Sequence, residues 1–164
     1  LGEAVGEWAK GRPERILFVG SGGLSHDPPL PNIASASAEV KERMIAGRAA
    51  SFADRLIRQD RVFRVGAAFK DGQTGLCDLN APWDQRFVAA MANGEVQVAD
   101  DWIERDVIAT AGGGANEVRC WLAATAALCR GGAYKTALEF YEPVPEWLTG
   151  MGILAMRTHG DEGV

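Results

Sequence analysis

The sequence has little cysteine, no long apolar run and no excess of positive charge. Its three cysteines, Cys77, Cys120 and Cys129, form no CxxC pair. This pattern argues against a secreted disulfide framework and against a structural zinc site. The longest strongly apolar stretches, such as 121–128, fall well short of the roughly 20 residues that a membrane helix needs, and the first residues show no signal-peptide pattern. We therefore expect a cytoplasmic protein without a membrane partner.

Basic residues are outnumbered by acidic ones. The chain has 17 Lys and Arg against 22 Asp and Glu, which gives a net charge of −5. A surface that binds phosphates along a nucleic acid is usually basic, so we expect no nucleic-acid partner. The length of 164 residues, with 47% hydrophobic and 24% charged residues, is typical of one globular domain with a real core.

Apolar spacing and turn residues predict a mixture of helices and strands. Residues 16–19 form a short apolar run that ends in the glycine-rich turn 20–23, which is the pattern of a buried strand. Apolar steps of three and four residues, with capping residues and prolines, predict helices over 1–10, 36–69 (one broken helix or two), 80–93, 100–111 and, with Asn116 as N-cap, 117–130. Short extended pieces are expected at 138–141 and 152–156. The predicted fold class is α/β, with a central sheet flanked by several helices.

Histidine is the natural acid or base near neutral pH, and the chain has only two. His26 directly follows the predicted strand and its glycine-rich turn, where loops often present functional groups. It is a candidate acid or base, and a surface or hydrogen-bonded loop histidine is the alternative. His159 lies in a polar tail, and we interpret it as a solvated histidine.

Two common glycine and serine motifs do not fit the glycine-rich turn. Ser25 replaces the third glycine of a dinucleotide-binding GxGxxG motif, and prolines stand where its helix would begin. A nucleophile elbow around Ser21 would need glycine in place of Val19. Ser25, His26 and Asp27 are neighbours in sequence, so their side chains diverge and cannot form a hydrolytic triad by themselves.

Glu117 is a second candidate. On a helix it would share one stripe with Trp121, Ala124 and Leu128, and a carboxylate on an apolar face needs a partner. One interpretation is a first-turn glutamate that favours the helix dipole and faces solvent. The other is a buried metal ligand. The neighbouring pair at 83–84, a tryptophan and an aspartate, is interpreted as packing rather than recognition.

Several motifs in order resemble a known family. SGGLSHDPP within 16–31, LNAPWDQRF at 79–87, NEVRCW at 116–121 and YEPVPEW at 141–147 together resemble the C-terminal half of the class III extradiol catechol dioxygenases. The resemblance covers nearly the whole chain. It implies that residues 1–164 are the C-terminal portion of a single extradiol-dioxygenase-like domain, within a larger α/β/α fold.

The resemblance also implies a reaction. In this family an Fe(II) ion held by two histidines and one glutamate binds the catechol and O2, and the ring opens beside the diol. Such three-ligand sites leave adjacent positions for substrate and oxygen. The implied substrates are catechols of the 2,3-dihydroxyphenylpropionate type, degraded in aromatic catabolism. By motif, His26 matches the acid or base beside the substrate, and Glu117 matches the carboxylate ligand of the iron.

The chain departs from the family pattern because it has no candidates for the two iron-binding histidines. We expect them outside this chain, in a missing N-terminal half or in a separate subunit, and we expect the chain alone neither to hold iron tightly nor to turn over. Members of this family commonly form homo-oligomers, so the resemblance implies a homo-oligomer. The alternative function is a non-catalytic binding or structural module of the same fold that lacks a metal site.

Overall fold

A computed structural model gives the fold of residues 1–31, 33–46 and 51–158. The described residues form six α-helices, three short 3₁₀ turns and a two-stranded sheet. The helices are α1 (Gly2–Lys10), α2 (Ala38–Ala46), α3 (Phe52–Lys70), α4 (Ala81–Ala92), α5 (Glu104–Ala111) and α6 (Arg119–Cys129), and the strands are β1 (Tyr134–Val144) and β2 (Thr149–Thr158). No helix among these residues is long and apolar enough to cross a membrane. His159 lies outside the described residues.

The two strands pair antiparallel along nearly their whole length, with Tyr141 opposite Gly152. The 3₁₀ turn Pro145–Trp147 connects them, and Leu148 closes the turn with a φ of 61°. The extended pieces predicted near the C-terminus are therefore confirmed, and both are longer than the apolar runs that indicated them. With the six helices, this sheet confirms the α/β class.

Helix α4 lies at the centre of the core and packs against both strands. Asn80 caps it by accepting a hydrogen bond from the Trp83 backbone N–H at 3.0 Å, and proline stands in its first turn. The ring of Trp83 stacks on Phe87 with 6.0 Å between centroids and lies 5.4 Å from the ring of Trp102. The tryptophan of the 83–84 pair is thus core packing, as expected.

Helix α1 packs closely against α6 because both contacting faces are made of small residues. Gly2 and Gly6, one turn apart, approach the backbone so closely that a Cβ on either would overlap the carbonyl oxygen of Ala123 or Ala127. An ion pair between Arg130 and Glu7, 2.7 Å from Nη2 to Oε2, joins the same two helices.

Two local predictions were wrong. Residues 16–19 form no strand in the described structure, and the side chains of Leu17 and Val19 are 85% and 74% exposed. A strand needs a hydrogen-bonded neighbour, and the sheet of β1 and β2 does not extend to this segment. Asn116 does not cap α6: it lies inside the 3₁₀ turn Gly113–Val118, and its side chain accepts from Arg119 Nε at 3.3 Å.

A groove of about 970 Å³ runs between segment 14–20, α1, α6 and β2. Its walls include the apolar side chains of Leu17, Val19 and Leu154, together with Trp121. The segment that was predicted to be a strand therefore forms one wall of an open groove.

Candidate functional site

The backbone of His26 is held from three sides. Its N–H donates to the Ala111 carbonyl at 2.9 Å, and its carbonyl accepts from the Gly114 N–H at 3.0 Å. It also forms an isolated antiparallel bridge with Thr149 at the start of β2. The end of α5, the glycine-rich segment after it and the second strand therefore fix this loop.

The side-chain contacts of His26 define the roles of its two ring nitrogens. Nδ1 lies 2.8 Å from the Leu24 carbonyl oxygen. A carbonyl only accepts, so Nδ1 carries the hydrogen, and in the neutral ring Nε2 keeps its lone pair. Nε2 lies 3.9 Å from Oε2 of Glu117, and the histidine side chain is only 13% exposed.

Glu117 reaches the histidine from the 3₁₀ turn Gly113–Val118, before α6 begins. Its Oε2 accepts a hydrogen bond from the Gly23 backbone N–H at 3.0 Å. The side chain is 57% exposed. Of the two interpretations of Glu117, the exposed side chain agrees with the solvent-facing one, and the residue precedes α6 instead of lying on its apolar stripe. The structure nevertheless brings the two sequence-predicted residues, His26 and Glu117, together.

Glycine at three positions allows this approach. A Cβ on Gly23 or Gly114 would overlap the imidazole ring of His26, and a Cβ on Gly22 would overlap Glu117. A side chain at any of them would displace one of the two candidate residues. The glycine-rich turn is thus explained by close packing around His26 and Glu117 rather than by phosphate binding.

Asp27 ties the loop to its surroundings through both carboxylate oxygens. Oδ1 accepts from the Gly113 N–H and Oδ2 from the Cys77 N–H, each at 3.1 Å. An open pocket of about 520 Å³ lies beside these groups, and it is lined by Asp27, Pro28, Leu30, Gly113, Gly114, Asn116 and Glu117. The pocket gives a small molecule access to the Glu117 carboxylate.

Asp84 also lies in this region, and the sequence interpretation treated it only as a packing residue. It is fully buried. Its Oδ1 accepts from the Ser25 backbone N–H at 2.7 Å, and its Oδ2 accepts from the Ser25 hydroxyl at 2.7 Å and the Tyr141 hydroxyl at 2.8 Å. Burial raises the pKa of the Asp84 carboxyl, and the hydrogen bonds from Ser25 and Tyr141 oppose that rise.

The sequence contains a pattern that indicates a buried, hydrogen-bonded carboxylate at Asp84. The residue lies three, four and seven positions before Phe87, Val88 and Met91, all of which are buried on α4. A carboxylate on the apolar stripe of a helix needs hydrogen-bond partners. In the sequence this reasoning was applied to Glu117, but it describes Asp84 better, because Asp84 is the carboxylate that is buried on an apolar helix face.

The described residues do not make a complete metal site. No group of three or more His, Cys, Asp or Glu side chains lies close enough to hold a metal ion within 1–31, 33–46 and 51–158. Glu117 offers one accessible carboxylate oxygen, which suits a ferrous ion as a single ligand. The arrangement can accept a proton at His26 beside a carboxylate, and any metal bound there needs further ligands from elsewhere.

A family model and several similar proteins both relate this chain to ring-opening dioxygenases. Residues 1–152 match the family model described as "Catalytic LigB subunit of aromatic ring-opening dioxygenase". Among similar proteins, one from Rhodococcus jostii (strain RHA1) is 44% identical over 153 residues, which are 93% of this chain and 49% of that protein. One from Azotobacter vinelandii is 38% identical over 155 residues, 94% of this chain and 50% of that protein.

A third similar protein, from Paraburkholderia phymatum, is 40% identical over 159 residues, 97% of this chain and 50% of that protein. All three are named 2,3-dihydroxyphenylpropionate/2,3-dihydroxicinnamic acid 1,2-dioxygenase. The chain spans about half the length of these relatives. Because the family model matches it over residues 1–152, the chain belongs to the family of catalytic LigB subunits of aromatic ring-opening dioxygenases.

Proposed function

We propose that the protein containing this chain opens the ring of 2,3-dihydroxyphenylpropionate-type catechols with O2, beside the diol, at a non-haem Fe(II) site. This chain supplies part of that site. The observation that carries the proposal is the proximity of His26 Nε2 to the Glu117 carboxylate, 3.9 Å from Nε2 to Oε2. The names of the similar proteins support the substrate class.

In this proposal His26 is the acid or base. A catechol must lose protons to bind through both oxygens, and the group that takes one must have a free lone pair within reach. The Leu24 carbonyl engages Nδ1, so the lone pair of the neutral ring is on Nε2, which faces Glu117. With a side chain only 13% exposed, the imidazole is shielded from bulk water. The same nitrogen, once protonated, can return the proton in a later step.

Glu117 is proposed as the carboxylate ligand of the iron, and the two histidine ligands are proposed to lie outside this chain. Fe(II), when bound, supplies adjacent positions for the catechol oxygens and O2. The Gly23 N–H holds one carboxylate oxygen in place. The exposed fraction of 57% leaves the carboxylate accessible to an ion and to the rest of the protein.

We further propose that residues 1–164 form the C-terminal portion of one larger α/β/α domain in a cytoplasmic homo-oligomer. The open groove beside residues 14–20 supports this proposal, because its walls include the exposed apolar side chains of Leu17 and Val19, which a neighbouring strand could cover. That strand would come from a missing N-terminal half of the chain or from a separate subunit.

The decisive test replaces His26 by alanine in the protein at its native length and follows ring cleavage of 2,3-dihydroxyphenylpropionate by the absorbance of the product. Loss of a positioned acid or base is expected to lower turnover by about 10²- to 10⁴-fold. His159→Ala is the matched control, and it should keep normal turnover. Normal turnover by His26→Ala would remove His26 from the mechanism. Absence of cleavage by the wild-type protein with Fe(II) would favour the non-catalytic module.

A further inference from the structure

Asp84 lies at the centre of a hydrogen-bond network that the proposed reaction does not use. The carboxylate is fully buried, and three donors converge on it: the backbone N–H and hydroxyl of Ser25, and the hydroxyl of Tyr141. It sits on α4, whereas its partners come from the glycine-rich loop and from β1. A buried carboxylate is costly unless such donors satisfy it, so its presence here requires an explanation.

The network ends one residue from His26. Ser25 is completely buried, and every polar group it has is engaged. Its hydroxyl accepts from the Asn80 N–H at 2.9 Å, and its carbonyl accepts from the Gly150 N–H at 2.9 Å. A Cβ on Gly150 would overlap Asp84 Oδ2, so the strand approaches the carboxylate without a side chain between them.

We propose that Asp84 is a positioning residue that fixes the Ser25–His26 turn, so that His26 Nδ1 donates to the Leu24 carbonyl and Nε2 faces Glu117. The catalytic meaning of this role rests on the proposed function. The positioning itself is a property of the folded chain. Asp84 acts through Ser25. Its hydrogen bonds within the described part of the chain go to Ser25 and Tyr141, and none goes to the imidazole.

The network requires a carboxylate rather than any polar side chain of the same shape. A carboxylate only accepts, so the hydroxyls of Ser25 and Tyr141 both donate to Asp84, and the Ser25 hydroxyl also accepts from the Asn80 N–H. In an Asp84→Asn variant, one orientation of the amide would place its NH2 group against the hydroxyls of Ser25 and Tyr141. The flipped orientation would place the NH2 group against the Ser25 N–H. In the first orientation the hydrogens of both hydroxyls lose their acceptor, and in the second two donors face each other. Either arrangement leaves a buried donor without a partner and weakens the hold on the turn.

The test measures the tautomer of His26 directly, by ¹⁵N NMR of ¹⁵N-histidine-labelled chain in a His159→Gln background at about pH 9, where imidazoles are ordinarily neutral. Wild type should give well-separated Nδ1 and Nε2 shifts, with the hydrogen on Nδ1. In Asp84→Asn the two shifts should converge as the tautomers mix. If Asp84→Asn does not fold, Tyr141→Phe, which removes one donor, takes its place.

Tyr134→Phe is the matched control. Tyr134 is also on β1, and its hydroxyl donates to the Met91 carbonyl of α4 at 2.9 Å, away from Ser25. It should keep the wild-type shifts. Unchanged shifts in the Asp84 variant, or in its Tyr141 replacement, would overturn the proposal. Equal convergence in Tyr134→Phe would also overturn it, because the effect would then be general loosening.

A second measurement links positioning to turnover. In the protein at its native length, Asp84→Asn should lower kcat by about 100-fold, the cost of a misplaced group, with little change in KM. If the wild-type protein is active and Asp84→Asn has the same kcat, the proposed positioning role of Asp84 is contradicted. If wild type does not cleave catechols, the proposed function fails, and the ¹⁵N shifts still decide whether Asp84 positions His26.

Discussion

At the residue scale, the candidate site depends on one carboxylate that solvent can reach. Among the described residues, one hydrogen bond, from the Gly23 backbone N–H, holds the Glu117 carboxylate, and the side chain lines an open pocket. Removal of a carboxylate that binds a metal lowers the metal content of the protein, whereas removal of a structural carboxylate lowers the stability of the fold.

Glu117→Ala is therefore expected to lower the iron content of the native-length protein to about a tenth or less of wild type, while the urea midpoint stays nearly unchanged. Elemental analysis after anaerobic loading with Fe(II) measures the first quantity. Glu139→Ala is the control and should load normally, because Glu139 is exposed on β1, opposite Leu154. Equal iron in wild type and Glu117→Ala would remove Glu117 from the ligand set.

A second residue-scale prediction concerns Tyr134. Its burial raises the pKa of the phenol to about 12, with a smaller contribution from the neighbouring Cys129. The folded state then holds its proton between about pH 10 and 12, where the unfolded state has released it. The free energy of unfolding should therefore fall as the pH rises through this window.

Tyr134→Phe removes that contribution and should lose less stability between pH 9 and pH 11 than wild type. Urea unfolding followed by tryptophan fluorescence at the two pH values measures the difference. Below pH 10 the variant should be less stable by about 1 kcal/mol, because it lacks the hydrogen bond to the Met91 carbonyl. An equal fall in both proteins would show that Tyr134 titrates normally in the fold.

The sequence allowed part of this site to be predicted. The resemblance indicated His26 and Glu117, and the structure places them 3.9 Å apart. Asp84 was interpreted as packing beside Trp83, although its position on the buried stripe of α4 indicated a partnered carboxylate. Its partners Ser25 and Tyr141 are 59 and 57 residues away in sequence, and no local pattern connects such distant positions.

At the element scale, helices were predictable because each carries its own periodicity and capping residues. The broken helix expected over 36–69 is two helices, and Ser51 begins α3 with a capping box to Asp54. Residues 16–19 failed as a strand for the opposite reason: a strand is completed by a neighbour, and its apolar pattern does not say where that neighbour is.

The contact between α1 and α6 gives an element-scale prediction. Because a Cβ on Gly6 would overlap the Ala127 carbonyl and the Arg130 side chain, Gly6→Ala should destabilise the fold by about 1–3 kcal/mol through overpacking. Gly11→Ala, whose Cβ would meet only the Trp8 carbonyl at 3.9 Å, is the control and should stay within about 0.5 kcal/mol of wild type. Urea unfolding midpoints measure both. A Gly6→Ala variant as stable as Gly11→Ala would show that the helices can separate freely.

At the scale of the whole molecule, the open groove and the incomplete ligand set are consistent with one account. Leu17 and Val19 are exposed on the segment where a strand was expected, and the described residues contain no group of three side chains that could hold a metal ion. The proteins it resembles are about twice as long. A second segment that covers the groove and contributes two histidine ligands would account for both the open groove and the incomplete metal site.

The most direct test of this account compares ring cleavage of 2,3-dihydroxyphenylpropionate, with Fe(II) and O2, by the isolated 164-residue chain and by the protein purified at its native length. The account predicts product from the native-length protein and none from the isolated chain. Ring cleavage by the isolated chain would contradict the proposal that His26 and Glu117 are only part of the site.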